Sequence, residues 1–256
     1  MKKNISRLLV VGLLLTSSIA YAQQNIKVAV ASNFLATLTA LSKDFTKKTG
    51  IPVEISSGAT GMLYAQIQKG APYDMFFAAD AKRPKLLEKE GLIEASSRFT
   101  YVTGKLVSWS PKTSNISADL ATLSPSDSKL HFIAIANPKT APYGSAAVAV
   151  LKHYGVYKKL KSEGKIAIGG NIGKTFQYAA SGNAQIGLVA KSYVSNPGKP
   201  VGGTYVEIPA NLYPKLTQQA VVLKGKNSDA VRKFLAYFKS DAAKKQIEAY
   251  GYGLGN

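Results

Sequence analysis

Residues 26–61 read IKVAVASNFLATLTALSKDFTKKTGIPVEISSGATG, and three patterns follow one another along them. IKVAVA (26–31) is an apolar run of strand length. In LATLTALSKDFTKKTG (35–50), Leu38, Leu41 and Phe45 recur at helical spacing and Gly50 closes the pattern. IPVEIS (51–56) predicts a second strand. Strand, helix and strand in this order make a βαβ unit, whose two strands run parallel beneath the helix. The rhythm continues with a helix over 59–70, closed by Gly70, a strand in YDMFFAA (73–79), and a helix from Asp80 to near Gly91.

FTYVTGKLVSWS (99–110) interrupts it with a long extended stretch, followed by Pro111. A second α/β set comes next. HFIAIAN (131–137), KIAIG (165–169) and AQIGLVA (184–190) predict strands; GSAAVAVLKHYG (144–155) and residues 172–182 predict helices. After the turn-rich NPGKPVGG come TYVEIP (204–209), a strand around LTQQAVVL (216–223), and two helices, NSDAVRKFLAYFK and DAAKKQIEAYG. The reading is two α/β lobes joined by extended connectors near 100–110 and 200–208, with the last helices returning to the first lobe. Expected boundaries are 23–105 for lobe I, 106–203 for lobe II and 204–256 for the return. Two connectors make a hinge, and a hinge makes a cleft that can close on a ligand. One continuous doubly wound sheet is the alternative the pattern leaves open.

Residues 1–22, MKKNISRLLVVGLLLTSSIAYA, are expected to be a secretory leader. A basic head of Lys2, Lys3 and Arg7 precedes a short apolar core, and Ala20-Tyr21-Ala22 is a small-residue cleavage site before Gln23. The apolar core is too short to span a bilayer. The chain has no cysteine, which excludes disulfides, thiolate metal sites and thiol nucleophiles. An exported chain without disulfides suits a Gram-negative periplasm.

The formal net charge is +19. Such a charge suggests nucleic acid or an anionic surface. The lysines are dispersed over helix faces, as at Lys43, Lys47 and Lys48 or Lys239, Lys244 and Lys245, and no zinc-finger spacing or RNA-binding aromatic motif accompanies them. We read the charge as a solvated coat that draws anions by long-range attraction. A secreted adhesion or nucleic-acid-binding protein is the alternative from another class.

In open α/β sheets, ligands sit beyond the carboxyl ends of the strands. Four strand-to-helix junctions carry small polar residues there: Ser32 and Asn33; SSGATG (56–61); NPKTAPYG (137–144); and GGNIGK (169–174). A helix start leaves N–H groups without intrahelical partners and carries partial positive charge. Several such starts facing one point make an anion site, to which Ser32, Asn33, Thr60 and Tyr143 can add donors. Ordinary helix capping is the better explanation of any one junction alone, and it is the four together that favour an anion site. His131 and His153 lack a matched ligand cluster, no G-x-S-x-G elbow appears, and IGGNIGKT (168–175) misses the phosphate-loop spacing at Ile168. Asp80 reads as a helix cap and Asp74 as a structural or lobe-contact residue. Neither an enzyme nor a resident cofactor or protein-ligated metal is expected.

VAVASNF (28–34), the long run from Ser56 to Ile93, IAIANPKTAPYGSAAVAVL (133–151) and GGNIGKTFQYAASGNAQIGLVAKSYV (169–194) resemble the molybdate-binding periplasmic receptors of ABC-type importers. The resemblance extends over nearly the whole chain beyond the leader. It implies a two-lobe periplasmic-binding-protein fold of type II, each lobe a mainly parallel sheet flanked by helices, with the ligand cleft between lobes. It implies molybdate or tungstate as ligand, an ABC importer permease as partner, membrane contact only through that permease, and a monomer. Carried over by motif, the anion contacts fall on Ser32, with Asn33 beside it, on Ala59 and Thr60, on Tyr143 and on Ile172. A tyrosine that some members carry after the GLV strand is here Ala190, and Tyr143 is expected to replace its hydroxyl from the opposite wall. Sulfate, phosphate and small organic acids remain alternative ligands.

Overall fold

The computed structural model describes residues 25–255; the expected leader, its cleavage site and Gln23 lie outside them. The chain runs β1 (Ile26–Ala31), α1 (Leu35–Thr49), β2 (Val53–Gly58), α2 (Thr60–Gln68), β3 (Met75–Phe77), α3 (Lys82–Lys89), β4 (Phe99–Gly104) and β5 (Leu106–Ser110). It continues through β6 (Ile133–Ala136), α4 (Pro142–His153), α5 (Tyr157–Ser162), β7 (Ile166–Gly169), α6 (Ile172–Ala180), β8 (Ile186–Ala190) and α7 (Lys191–Val194). Last come β9 (Thr204–Glu207), β10 (Leu216–Val222), α8 (Asp229–Phe238), α9 (Asp241–Ala249) and β11 (Gly253–Leu254).

Two sheets form. The first has the order β11-β4-β10-β3-β1-β2 and the second β7-β6-β8-β5-β9. The first strand is buried on both faces, as a strand covered by helices on each side must be. Val28 and Val30 join Phe34, Phe45 and Phe234 beneath α1, α8 and α9, while Ala29 joins Leu63, Phe76 and Leu87 beneath α2 and α3. In the second lobe, α4 and α5 cover one face, and Trp109 stacks on Phe176 of α6 on the other. Asp74 accepts the amide of Lys27 at 2.7 Å and Asp80 that of Arg83 at 2.9 Å, so Asp74 ties the base of the first sheet and Asp80 caps the start of α3.

Three expectations change. The sheets are mixed rather than mainly parallel: β1 pairs in parallel with β2 and β3, and β6 with β7 and β8. Strands that arrive from the other lobe enter from the opposite end, so β10 runs antiparallel to β3 and β4, and β5 to β8 and β9. The extended stretch 99–110 is no bare connector. It is one strand in each sheet, with Lys105 alone between them. The return expected at 204 comes later, because Thr204–Glu207 pairs with Ser110–Val107 in the second sheet. The second crossing is therefore residues 208–215. The alternative of one continuous sheet is excluded by this topology.

Candidate functional site

The carboxyl ends of β1, β2 and β6 and the start of α6 meet between the lobes. They border a small cavity lined by Ala31, Ser32, Asn33, Gly58, Ala59, Thr60, Ala79, Ala141, Pro142, Tyr143 and Ile172. All six residues singled out in the sequence line it. No lining residue is charged.

Helix starts supply its polarity. Ala59 and Ala141 occupy the N-cap positions of α2 and α4, and neither can cap with its side chain. The amides of Thr60, Tyr143 and Ile172 lie in first turns, where no intrahelical acceptor exists. In α6 the Asn171 side chain caps Lys174, one residue pair beyond Ile172. Ser32 and Asn33 open a short 3-10 turn leading into α1, and neither side chain caps it.

Three hydroxyls face this region, and each already accepts one protein N–H. Thr60 Oγ1 accepts the amide of Ala79 at 3.1 Å, Ser32 Oγ the amide of Gly173 at 3.4 Å, and Tyr143 Oη the Gln218 Nε2 at 3.1 Å. With one lone pair occupied, each presents its own hydrogen elsewhere. Burial pushes the Tyr143 phenol well above its usual pKa, with Tyr252 and Tyr101 adding to the shift, so it stays protonated. The cavity is thus rich in donors without a counter-charge, an arrangement suited to an anion whose oxygens are all acceptors.

Asn33 differs from expectation. Its Nδ2 donates to Gln218 Oε1 at 2.8 Å and to Tyr252 Oη at 3.1 Å, so both side-chain hydrogens are committed within the protein. Its Oδ1 is buried and has no partner among the described residues. The Asn33 side chain is therefore no donor to a ligand. It supports the wall, and only its backbone amide is left for that role.

Contacts between the lobes surround the cavity. Gly61 donates its amide to Thr140 O at 2.9 Å, a close approach in which a Cβ on Gly61 would stand 3.1 Å from the same oxygen. Ser192 Oγ donates to Asn33 O at 2.9 Å and Tyr193 Oη to Ser32 O at 2.8 Å. Arg83, ion-paired with Asp80, reaches Lys139 O at 3.4 Å. The lobes are closed on each other.

Tyr143 and Ala190 belong to the same lobe, since α4 and β8 share one core, which corrects the expectation of opposite walls. The phenol nevertheless crosses to the first lobe. It passes over Gly104, where a Cβ would collide with its hydroxyl. The tyrosine nearest in sequence to Ala190 is Tyr193, whose hydroxyl latches Ser32 and which lines an outer cleft beside Lys174 and Lys199 rather than the cavity. Gln218 is the residue that sequence reasoning missed. Its signal is the Gln218-Gln219 pair inside a central strand that is otherwise apolar but for Thr217. Among the described residues no group of three or more His, Asp or Glu could hold a metal ion.

Residues 26–253 match the family model described as bacterial extracellular solute-binding protein. The chain is 44% identical over 256 residues to the molybdate-binding protein ModA of Azotobacter vinelandii, covering 99% of this chain and 100% of that one. It is 40% identical over 245 residues to ModA of Rhodobacter capsulatus, covering 95% and 92% of the two chains. The solved structure of an Azotobacter vinelandii periplasmic molybdate-binding protein superposes with a TM-score of 0.83 at 39% identity, over 91% of this chain and all of that one.

Proposed function

Because the chain belongs to the bacterial extracellular solute-binding proteins, within their molybdate-binding ModA members, we propose that it binds molybdate or tungstate between its lobes and delivers the ion to an ABC importer. Ser32, Thr60 and Tyr143 donate through their hydroxyls. Thr60, Tyr143 and Ile172 contribute first-turn amides, Ala59 its N-cap amide, and the Asn33 backbone completes the set. The protein works as a monomeric receptor in the periplasm of a Gram-negative cell and meets the membrane only through its permease.

The observation that carries this reading is the convergence of four helix openings and three donor hydroxyls on one uncharged cavity. A dianion gives up its water only where each oxygen finds donors. Dipoles and hydroxyls supply them without a salt bridge. Charge is shared among tetrahedral dianions, so size must separate molybdate from the smaller sulfate. Closure hides the ion and completes the surface presented to the permease. No bond is made or broken.

Calorimetric titration of the purified protein with molybdate, tungstate, sulfate and phosphate tests it. Tight binding of the first two, with sulfate silent and phosphate bound orders of magnitude more weakly, is the expected result. Equal affinity for sulfate, or heat from none of the four, overturns it.

A further inference from the structure

We propose that Gln218 is a positioning residue that fixes the Tyr143 hydroxyl as a donor to the bound oxyanion and thereby sets discrimination against protonated oxyanions. This rests on the oxyanion-binding reading above. Gln218 is fully buried in β10, on the first lobe. Its Oε1 accepts from Asn33 Nδ2 at 2.8 Å and from Tyr101 Oη at 2.9 Å. Two donors converging on one amide atom leave the side chain a single orientation, with Nε2 directed at Tyr143.

The bonds run in one direction. Tyr252 Oη gives its hydrogen to Asn33 O at 2.6 Å and so receives one from Asn33 Nδ2. The second Nδ2 hydrogen goes to Gln218, and Gln218 donates to Tyr143. Among the described residues the Tyr143 hydroxyl donates to no protein group, and the phenol lines the cavity. Its hydrogen is left for the ligand. A fully deprotonated oxygen accepts it, whereas a ligand O–H pointed at the same place sets two hydrogens against each other.

The strand is shaped for this. The pairing of β10 with β4 shifts register between Gln218 and Gln219, a bulge of the kind that re-aims side chains beside a site. The two neighbouring glutamines consequently serve different partners, Gln219 bonding Arg98 and Thr100. Gly104, opposite, leaves the space in which Tyr143 and Gln218 meet.

A double-mutant cycle tests the assignment, with Gln218→Met, Tyr143→Phe and the pair. Affinities are measured by calorimetry for molybdate and for inorganic phosphate near neutral pH, where phosphate retains a proton, and folding is checked by thermal melting. Each single change is expected to weaken molybdate binding roughly ten- to a hundredfold, the worth of a hydrogen bond to a charged group. The pair is expected to bind no more weakly than Tyr143→Phe alone, because Gln218 acts through that hydroxyl. Gln218→Met should also narrow the ratio of molybdate to phosphate affinity. Should Gln218→Met not fold, Gln218→Glu keeps the acceptor for Asn33 and Tyr101 while turning the donor into an acceptor, and the same cycle applies. Additive losses, or a folded variant with unchanged affinity and ratio, overturn the role of Gln218. A wild-type protein that binds no oxyanion overturns the functional reading itself, a distinct result.

Discussion

Replacing Gly104 with alanine should damage binding although Gly104 itself is not expected to contact the ion. Gly104 is the last residue of β4, just before the chain crosses between lobes, and its φ is not in the positive region, so alanine meets no backbone strain there. Space is the whole issue. The added methyl would stand well inside contact distance of both the Tyr143 hydroxyl and Gln218 Nε2. Overpacking of this kind costs about 1–3 kcal/mol of stability. Relief requires the phenol to retreat, and the ion then loses a hydrogen bond worth about 1.5–3 kcal/mol. The Kd for molybdate should rise roughly 10- to 150-fold. Calorimetry gives the affinity and melting gives the stability. Gly50→Ala is the control. Gly50 follows α1 with φ 73° and nothing within 4 Å of its added methyl. It should lose about 1 kcal/mol of stability while binding normally. A Gly104→Ala protein with wild-type affinity, or a control that loses affinity equally, would refute the placement of Tyr143 at the ion.

Ser32→Ala removes one donor hydroxyl and the acceptor for the Gly173 amide; molybdate affinity should fall by about 1–3 kcal/mol, and an unchanged titration would remove Ser32 from the site. Burial raises the pKa values of Tyr101, Tyr143 and Tyr252 above 10.0. Their raised folded values mean that this stability is fully present below the unfolded value of 10.0 and is lost as the pH climbs past it. Affinity should stay flat between about pH 7 and 9, and melting temperatures should fall only in the more alkaline range; a drop in affinity below about pH 9 would show that a site hydroxyl ionises early.

What local pattern can encode, the sequence displays. The periods of β1, α1 and β2 are set by residues a few positions apart, and the polar junctions that follow the strands are visible as spacing. Pairing across the fold is not local. Thr204–Glu207 reads as a strand, yet only its ladder with Val107–Ser110 assigns it to the second lobe. The same limit applies to side-chain roles. Asn33 sits at the right junction to donate to an anion, but Gln218, 185 positions away, and Tyr252 take both of its hydrogens. Gln218 itself gains meaning only where α4 of the other lobe brings Tyr143 against it. The tyrosine absent at Ala190 was legible, while the latch made by Tyr193 three residues later depends on the closed arrangement of the lobes.

The seam around the cavity is built largely of Ala31, Ala59, Ala79 and Ala141, with Gly58 and Gly61 beside them. Parting the halves there bares small side chains, the Ser32 and Thr60 hydroxyls and peptide, with Asn33, Pro142, Tyr143 and Ile172 the larger exceptions. Water wets such a surface readily, and it offers stray proteins little to adhere to. A receptor that must empty and refill many times in its life can therefore gape without becoming sticky.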